Sequence, residues 1–223
     1  MSVGMLYTPR SETLLGDAAK VQAKAGTFIA GLKTALSDSG ITASVAQAGA
    51  AFKISQDFDG KDVANLNKCL DWVRSDKEST DWRDQNKADL ISCIVEGDPS
   101  GFGVVGMGAV LNDVKGNKGA FYNCVWHSTT DITFSHEVGH NMGLGHEPGN
   151  GDGVLKTSHG NHFTHNGEGY TTIMAYQKQG FMKQANIFAG PNSKFNGTTT
   201  GTAATDAVGT IKQTSVPISE YYK

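Results

Sequence analysis

The 223-residue sequence predicts an α/β (α+β) fold: a twisted, mostly parallel sheet with helices in an upper lobe (about 1-143), then a loop-rich lower lobe (about 144-223) carrying a C-terminal helix. Three observations predict it. Up to residue 95, apolar positions alternate between strand-like and helix-like periods, the pattern of a parallel sheet with right-handed crossovers. The 28 glycines concentrate after residue 97, where regular periodicity fades into turns. Between these halves lies HEVGHNMGLGH, residues 136 to 146, on a stretch that reads as helix.

In chain order, Val3 to Thr8 reads as a strand, which Pro9 stops before Ser11, the expected helix N-cap. Leu14, Ala18, Val21, Ala25, Phe28, Leu32 and Ala35 then trace one apolar stripe of a long helix, and Gly40 stands at its C-terminal cap. Ile41, Ala43 and Val45 alternate as a strand. Val63, Leu66, Leu70 and Val73 give a second amphipathic helix, with Cys69 beside its stripe. Leu90 to Val95 (LISCIV) is continuously apolar, as a central strand covered on both faces requires. Gly103 to Leu111 and Ala120 to Trp126 read as two further strands. A helix from about Thr130 to Met142 follows, with Asp131 in its first turn favourable to the helix dipole. Ala203 to Ile211 is the expected last helix.

Composition narrows the function. No run of eighteen apolar residues is present, so a soluble chain with no membrane span is expected. Nineteen basic and 22 acidic residues are interspersed, leaving no basic footprint for nucleic acid. Cys69, Cys93 and Cys124 permit at most one internal disulfide and lack zinc-knuckle spacing, so buried thiols are expected. MSVGMLY looks like a first strand and not a signal sequence. Secretion, or another export route, therefore needs either a leader removed upstream or a pathway that reads none.

The chemistry lies in the 136 to 146 run. His136 and His140 are four apart on a helix, so both imidazoles leave one face and can grip one ion. Glu137 can reach a water on the ion's open side without becoming a ligand, the placement of a general base. Gly143, free to take a positive φ, turns the chain and returns His146 from a second direction. The bare HExxH pattern arises by chance; five specified positions in eleven do not.

At these residues the sequence resembles the metzincin zinc endopeptidases, with HExxHxxGxxH and a downstream methionine turn. Residues 171 to 176, TTIMAY, match the turn, and Met174 would form the apolar floor under the histidines. Within that clan the chain is most similar to the reprolysin-like (adamalysin-like) branch of bacterial type. It departs from the branch twice: Glu147 stands where Asp is usual, and Tyr176 where proline is usual.

The resemblance implies a zinc (Zn2+) endopeptidase acting on extended protein or peptide substrates. His136, His140 and His146 would bind the metal, and Glu137 would be the base toward a zinc-bound water. Tyr176 is a donor to the oxyanion, a weak fifth metal ligand, or a residue packed against the active-site helix. The equivalent of the glycine-rich strand would pair with substrate, small residues letting the two backbones approach; the alternative is an ordinary edge strand with weak side-chain packing. IFAGPNSKFNGTTTG resembles the substrate-pocket wall.

A monomer is expected, with an inhibitor or immunity-type protein as a further partner. The competing readings are a catalytically idle zinc-containing binding module, against which the retained Glu137 argues, and a zinc amidase acting on a non-protein amide. His159, His162 and His165 form the rival metal motif, HxxHxxH, read here as cleft lining or surface residues. Asp152, among glycines, leaves calcium binding as an alternative, but EF-hand spacing is absent and a solvated turn is expected.

Overall fold

The structure, a computed structural model, describes residues 1–58, 62–97 and 104–222. It has the mixed α/β architecture expected of a metzincin-like chain. Its main sheet runs in the order β2 (Ala46–Gln47), β1 (Ser2–Tyr7), β4 (Leu90–Val95), β6 (Tyr122–Trp126), β5 (Gly106–Gly108). A second short strand, β3 (Phe52–Lys53), pairs with the other end of β1. All pairings are parallel except β5 on β6, so β5 is an antiparallel edge.

Every residue of β4 is buried, as its unbroken apolar run predicts, because helices cover both faces. On one face Val3, Met5, Ile94 and Val125 pack with α2 (Ala18–Asp38) and α5 (Asp131–Asn141). On the other, Leu6, Ile91 and Val95 pack with α3 (Val63–Ser75). Phe28 of α2 stacks on Phe134 of α5 with ring centroids 5.0 Å apart, which fixes the central helix over the sheet.

Cys93 and Cys124 are register partners on β4 and β6, and all three cysteines are free, buried thiols. Cys69 lies on the buried face of α3, not beside it, and burial pushes its thiol well above the usual range.

Several boundaries differ from expectation. Thr8, not Ser11, caps the first helix, α1 (Pro9–Leu15), and its hydroxyl accepts from Ser11 N–H. Gly16, at φ +114°, breaks the expected long helix, and Asp17 recaps it as α2. Leu14 is therefore half exposed, off the stripe. The expected strand at 41 to 45 is a loop that buries Ile41 and Val45 in the core, and pairing starts only at Ala46. A separate helix, α4 (Lys77–Asn86), had no apolar stripe to announce it; Asp76 caps it.

The last helix, α6 (Ala207–Ser219), starts four residues later than expected and runs through Pro217. Thr202 and Thr205 form a bridged turn, and the Asp206 side chain caps the helix through Gly209 N–H. From α6 the Thr214 hydroxyl donates to Met142 O, satisfying a carbonyl at the end of α5.

A buried polar chain ties α5 to the sheet. The Ser92 hydroxyl donates to Asn123 Oδ1, Asn123 Nδ2 donates to Asn141 Oδ1 (2.7 Å), and Asn141 Nδ2 donates to the carbonyls of Ala109 and Tyr122. All three side chains are fully buried. Asn141→Leu would orphan these groups, so a loss of about 2–4 kcal/mol in urea unfolding of the metal-free chain is expected.

Candidate metal centre and active site

Helix α5 starts at the Thr130 cap and ends at Met142, where Gly143, at φ +89°, reverses the chain as its position in the sequence predicts. Val154 lies too close to Gly143 for any side chain, which independently demands glycine there. The reversal brings His146 back to His136 and His140. Among the described residues, these three form the one group of ligand-type side chains close enough to share an ion, with ligand atoms within 4.8 Å of one another.

Each imidazole is oriented by a backbone carbonyl: His136 Nδ1 on Ile173 O (2.8 Å), His140 Nδ1 on Leu144 O (2.8 Å), His146 Nδ1 on Asn150 O (2.7 Å). A carbonyl only accepts, so each Nδ1 carries the proton and each Nε2 presents a lone pair. The Nε2 atoms of His136 and His146 lie 3.2 Å apart. Two acceptors so close repel one another, whereas ligands about 2.05 Å from a tetrahedral ion stand about 3.3 Å apart. The donor set and its spacing therefore fit zinc.

Burial favours the neutral form of the two helical ligands: desolvation lowers His136 to about 4 and His140 to about 3. It acts oppositely on Glu137, raised to about 8. The Glu137 carboxylate has no hydrogen-bond partner among the described residues and lies against β5. A Cβ on Gly106 would come within 2.7 Å of its Oε1, and one on Gly108 within 2.6 Å of Glu137 O. The β5 glycines thus let α5 approach the strand closely. Of the expected strand from Gly103 to Leu111, only Gly106–Gly108 is regular, and Gly103 lies outside the described residues.

Met174 is buried beneath the histidines, and its sulfur occupies the space a Cβ on Gly139 would need, between the two helical ligands. The Tyr176 hydroxyl lies 2.9 Å from His146 Nε2, and its ring faces both His146 and, on α5, His136. Burial, then the charges of Glu137 and Glu147, raise its pKa, so it is a neutral donor.

Glu147 reaches the methionine turn despite its length: Oε2 accepts from Tyr176 N–H (2.9 Å), and Oε1 from Asn150 Nδ2. Burial pushes this carboxyl up, but these bonds outweigh it and leave the net shift downward.

The HxxHxxH histidines do not converge. His159 donates to His146 O, His162 to Tyr176 O, and His165 Nδ1 pairs with Thr198 Oγ1. Part of this motif is strand β7 (His162–His165), not loop.

A cleft cavity of about 230 Å³ beside Glu137 is lined by Val104, Ile132, Thr133, Ile173, Ala175 and Gln184, among others. IFAGPNSKFNGTTTG does not line it. That segment turns into a hairpin of two short strands, Lys194–Phe195 and Thr198–Thr199, and its Ile187, Phe188 and Ala189 are core residues. The cavity's walls come from the methionine turn (Ile173, Ala175), from α5 (Ile132, Thr133) and from Val104 ahead of β5. Asn150, which both orients His146 and holds Glu147, was missed because a backbone acceptor leaves no mark on side-chain spacing.

The family model described as metallo-peptidase family M12 matches residues 11–188. No curated protein matches the chain. A solved structure described as a chaperone-substrate complex superposes with a TM-score of 0.76 at 19% identity, over 99% of this chain and 34% of that one. The crystal structure of metalloproteinase-II from Bacteroides fragilis gives 0.42 at 17% identity, over 66% and 42%. The first likeness concerns fold alone, and the second is too distant to support an argument. The chain spans about a third of the first solved chain and two-fifths of the second.

Opposite shifts at neighbouring groups make a pH prediction. The two depressed imidazoles contribute stability that is complete above their unfolded value of 6.5 and lost as pH falls through about 4 and 3. Raised Glu137 contributes stability that is complete below 4.5 and lost as pH rises through about 8. After chelator treatment, stability should therefore fall by about 2 kcal/mol between pH 6.5 and 8. Denaturant titrations of Glu137→Gln should show that slope abolished; an equal slope would place its cause elsewhere.

Proposed function

The chain belongs to metallo-peptidase family M12, and from that premise we propose that it is a zinc-dependent endopeptidase cutting extended polypeptides, both lobes serving as one catalytic domain. The observation that carries the proposal is the convergence of three Nε2 lone pairs beside a buried carboxylate that is not a member of the ligand set. Bound to His136, His140 and His146, zinc would supply Lewis acidity toward a water and toward the scissile carbonyl.

The remaining work falls to the chain's own residues. Glu137 takes a proton from the attacking water as its oxygen bonds to the carbonyl carbon, then delivers that proton to the leaving nitrogen as the C–N bond breaks. A carboxylate with no competing hydrogen bond among the described residues, in a low-dielectric setting, is a strong acceptor for this transfer. Its elevated pKa in isolation falls once a cation sits near it, which restores the ionised form at neutral pH.

The Tyr176 hydroxyl, already among the ligand atoms, donates to the oxygen that gains charge in the tetrahedral state. Strand β5 pairs only with β6 among the described strands, and its open edge offers backbone groups to an extended peptide. The adjoining cavity, with valine, isoleucine and alanine walls and glutamine at its rim, receives a side chain next to the cut bond.

This reading separates from an idle zinc-containing module in one experiment. Glu137→Ala should abolish cleavage of a peptide library while zinc content and fold stay at wild-type levels, because the residue is a base and not a ligand. Near wild-type cleavage by that variant would sink the mechanism. Tyr176→Phe should lower turnover by about 10- to 100-fold, roughly 1.4 to 3 kcal/mol, with little change in KM. Unchanged kcat in steady-state peptide assays would remove the hydroxyl from the mechanism and leave Glu137 in place.

A further inference from the structure

The HxxHxxH run holds no metal arrangement, yet two of its histidines end on the residues that flank the ligand atoms. His159, 7% exposed, donates Nδ1–H to the carbonyl of His146 at 2.7 Å. His162 donates Nε2–H to the carbonyl of Tyr176 at 2.8 Å. His146 and Tyr176 meet each other on the opposite side, where their rings lie 4.2 Å apart and the Tyr176 hydroxyl touches His146 Nε2. Glu147 closes the circuit by accepting from Tyr176 N–H.

The segment carrying these donors is itself laid tightly along the methionine turn. A Cβ on Gly160 would come within 2.5 Å of Ala175 N and the Met174 carbonyl carbon. Asn161 N–H donates to the Thr172 hydroxyl, and Thr172 N–H donates back to Asn161 O. The two donors are thus fixed to the turn that supplies the floor and the tyrosine.

We propose that His159 and His162 are positioning residues that hold the third ligand and the tyrosine facing it in register, by grasping their backbone carbonyls from behind. The proposal rests on reading His136, His140 and His146 as a zinc site.

The physical logic follows from chain connectivity. His136 and His140 sit on a rigid helix, whereas His146 comes after the Gly143 reversal and has only the loop to orient it. Any freedom left in that loop must be lost when an ion binds, which weakens affinity. A donor on the peptide of His146 removes that freedom beforehand, and imidazole suits the task because only two side-chain torsions separate its N–H from the backbone. His162 does the same for Tyr176, whose backbone must be still if its hydroxyl is to be placed. His165 bonds Thr198 on the hairpin instead and serves as the internal control.

The test measures zinc affinity of the full chain by competition with a chromophoric chelator, beside steady-state peptide hydrolysis. His159→Ala should weaken zinc binding by about 10- to 100-fold, the usual cost of removing a partner of a ligand. His159→Gln keeps an N–H donor and should recover most of that loss. If the alanine variant does not fold, His159→Phe, which fills the space without a donor, takes its place. His162→Ala should leave zinc affinity within about twofold of wild type and lower kcat with little change in KM. His165→Ala should change neither.

Zinc affinity within about twofold of wild type in the donor-less His159 variants would overturn the inference, as would a glutamine variant no better than alanine. A wild-type chain that binds no zinc would overturn the zinc reading itself, an outcome distinct from these.

Discussion

The hydrogen bond from each imidazole Nδ1 to a backbone carbonyl is the constraint on which the rest of the lower lobe depends. A free histidine offers two tautomers and a rotating ring; a carbonyl on Nδ1 leaves one tautomer and one direction for Nε2. The three carbonyls come from Leu144, Asn150 and Ile173, at increasing distance along the chain. Delivering them dictates the sharp reversal at Gly143, the short turn at 147 to 150, and the return of the chain to the methionine turn. The long irregular stretch after α5 is therefore shaped by where carbonyls must stand, which is why it carries so little regular structure.

The upper lobe supplies the opposite kind of constraint, a rigid platform. The sheet is buried on both faces, and α5 is held to it by Phe28 on Phe134 and by the Ser92, Asn123 and Asn141 chain. Close packing of β5 on α5 also creates the dry setting that moves Glu137 and the two helical histidines in opposite directions. The same burial keeps His136 and His140 neutral and makes the Glu137 carboxylate a more avid proton acceptor. Fold and reactivity thus rest on the same glycine contacts.

What the sequence made legible follows the same division. Strand β4 and helices α3 and α5 were readable because apolar period and caps are local properties of their residues. Helix α4 was not, since Lys77 to Asn86 is nearly all polar and only the Asp76 cap signals it. The break at Gly16 was hidden because the stripe on its two sides happens to continue in phase. At the site, His136, Glu137, His140 and His146 were legible through spacing, and Met174 and Tyr176 through resemblance. Asn150, His159 and His162 act through or upon main-chain carbonyls, whose partners are set by loop paths that spacing does not encode.

The two departures from the reprolysin-like pattern are connected through one peptide unit. Glu147 is a methylene longer than the usual Asp, and a longer side chain holds a partner less firmly unless its second oxygen is also fixed. Asn150 fixes it, and Asn150 N–H in turn bonds Glu147 O, so the carboxylate is pinned within its own turn. The other oxygen can then hold Tyr176 N–H, while His162 holds Tyr176 O. With both backbone groups of residue 176 engaged, the half-exposed ring retains rotation about its side-chain torsions as the motion that breaks none of these bonds. Proline at 176 would have no N–H for Glu147 to accept and no hydroxyl to bring to His146. The longer acid and the tyrosine are therefore better understood as one joint change, in which the acid steadies the peptide that carries the hydroxyl.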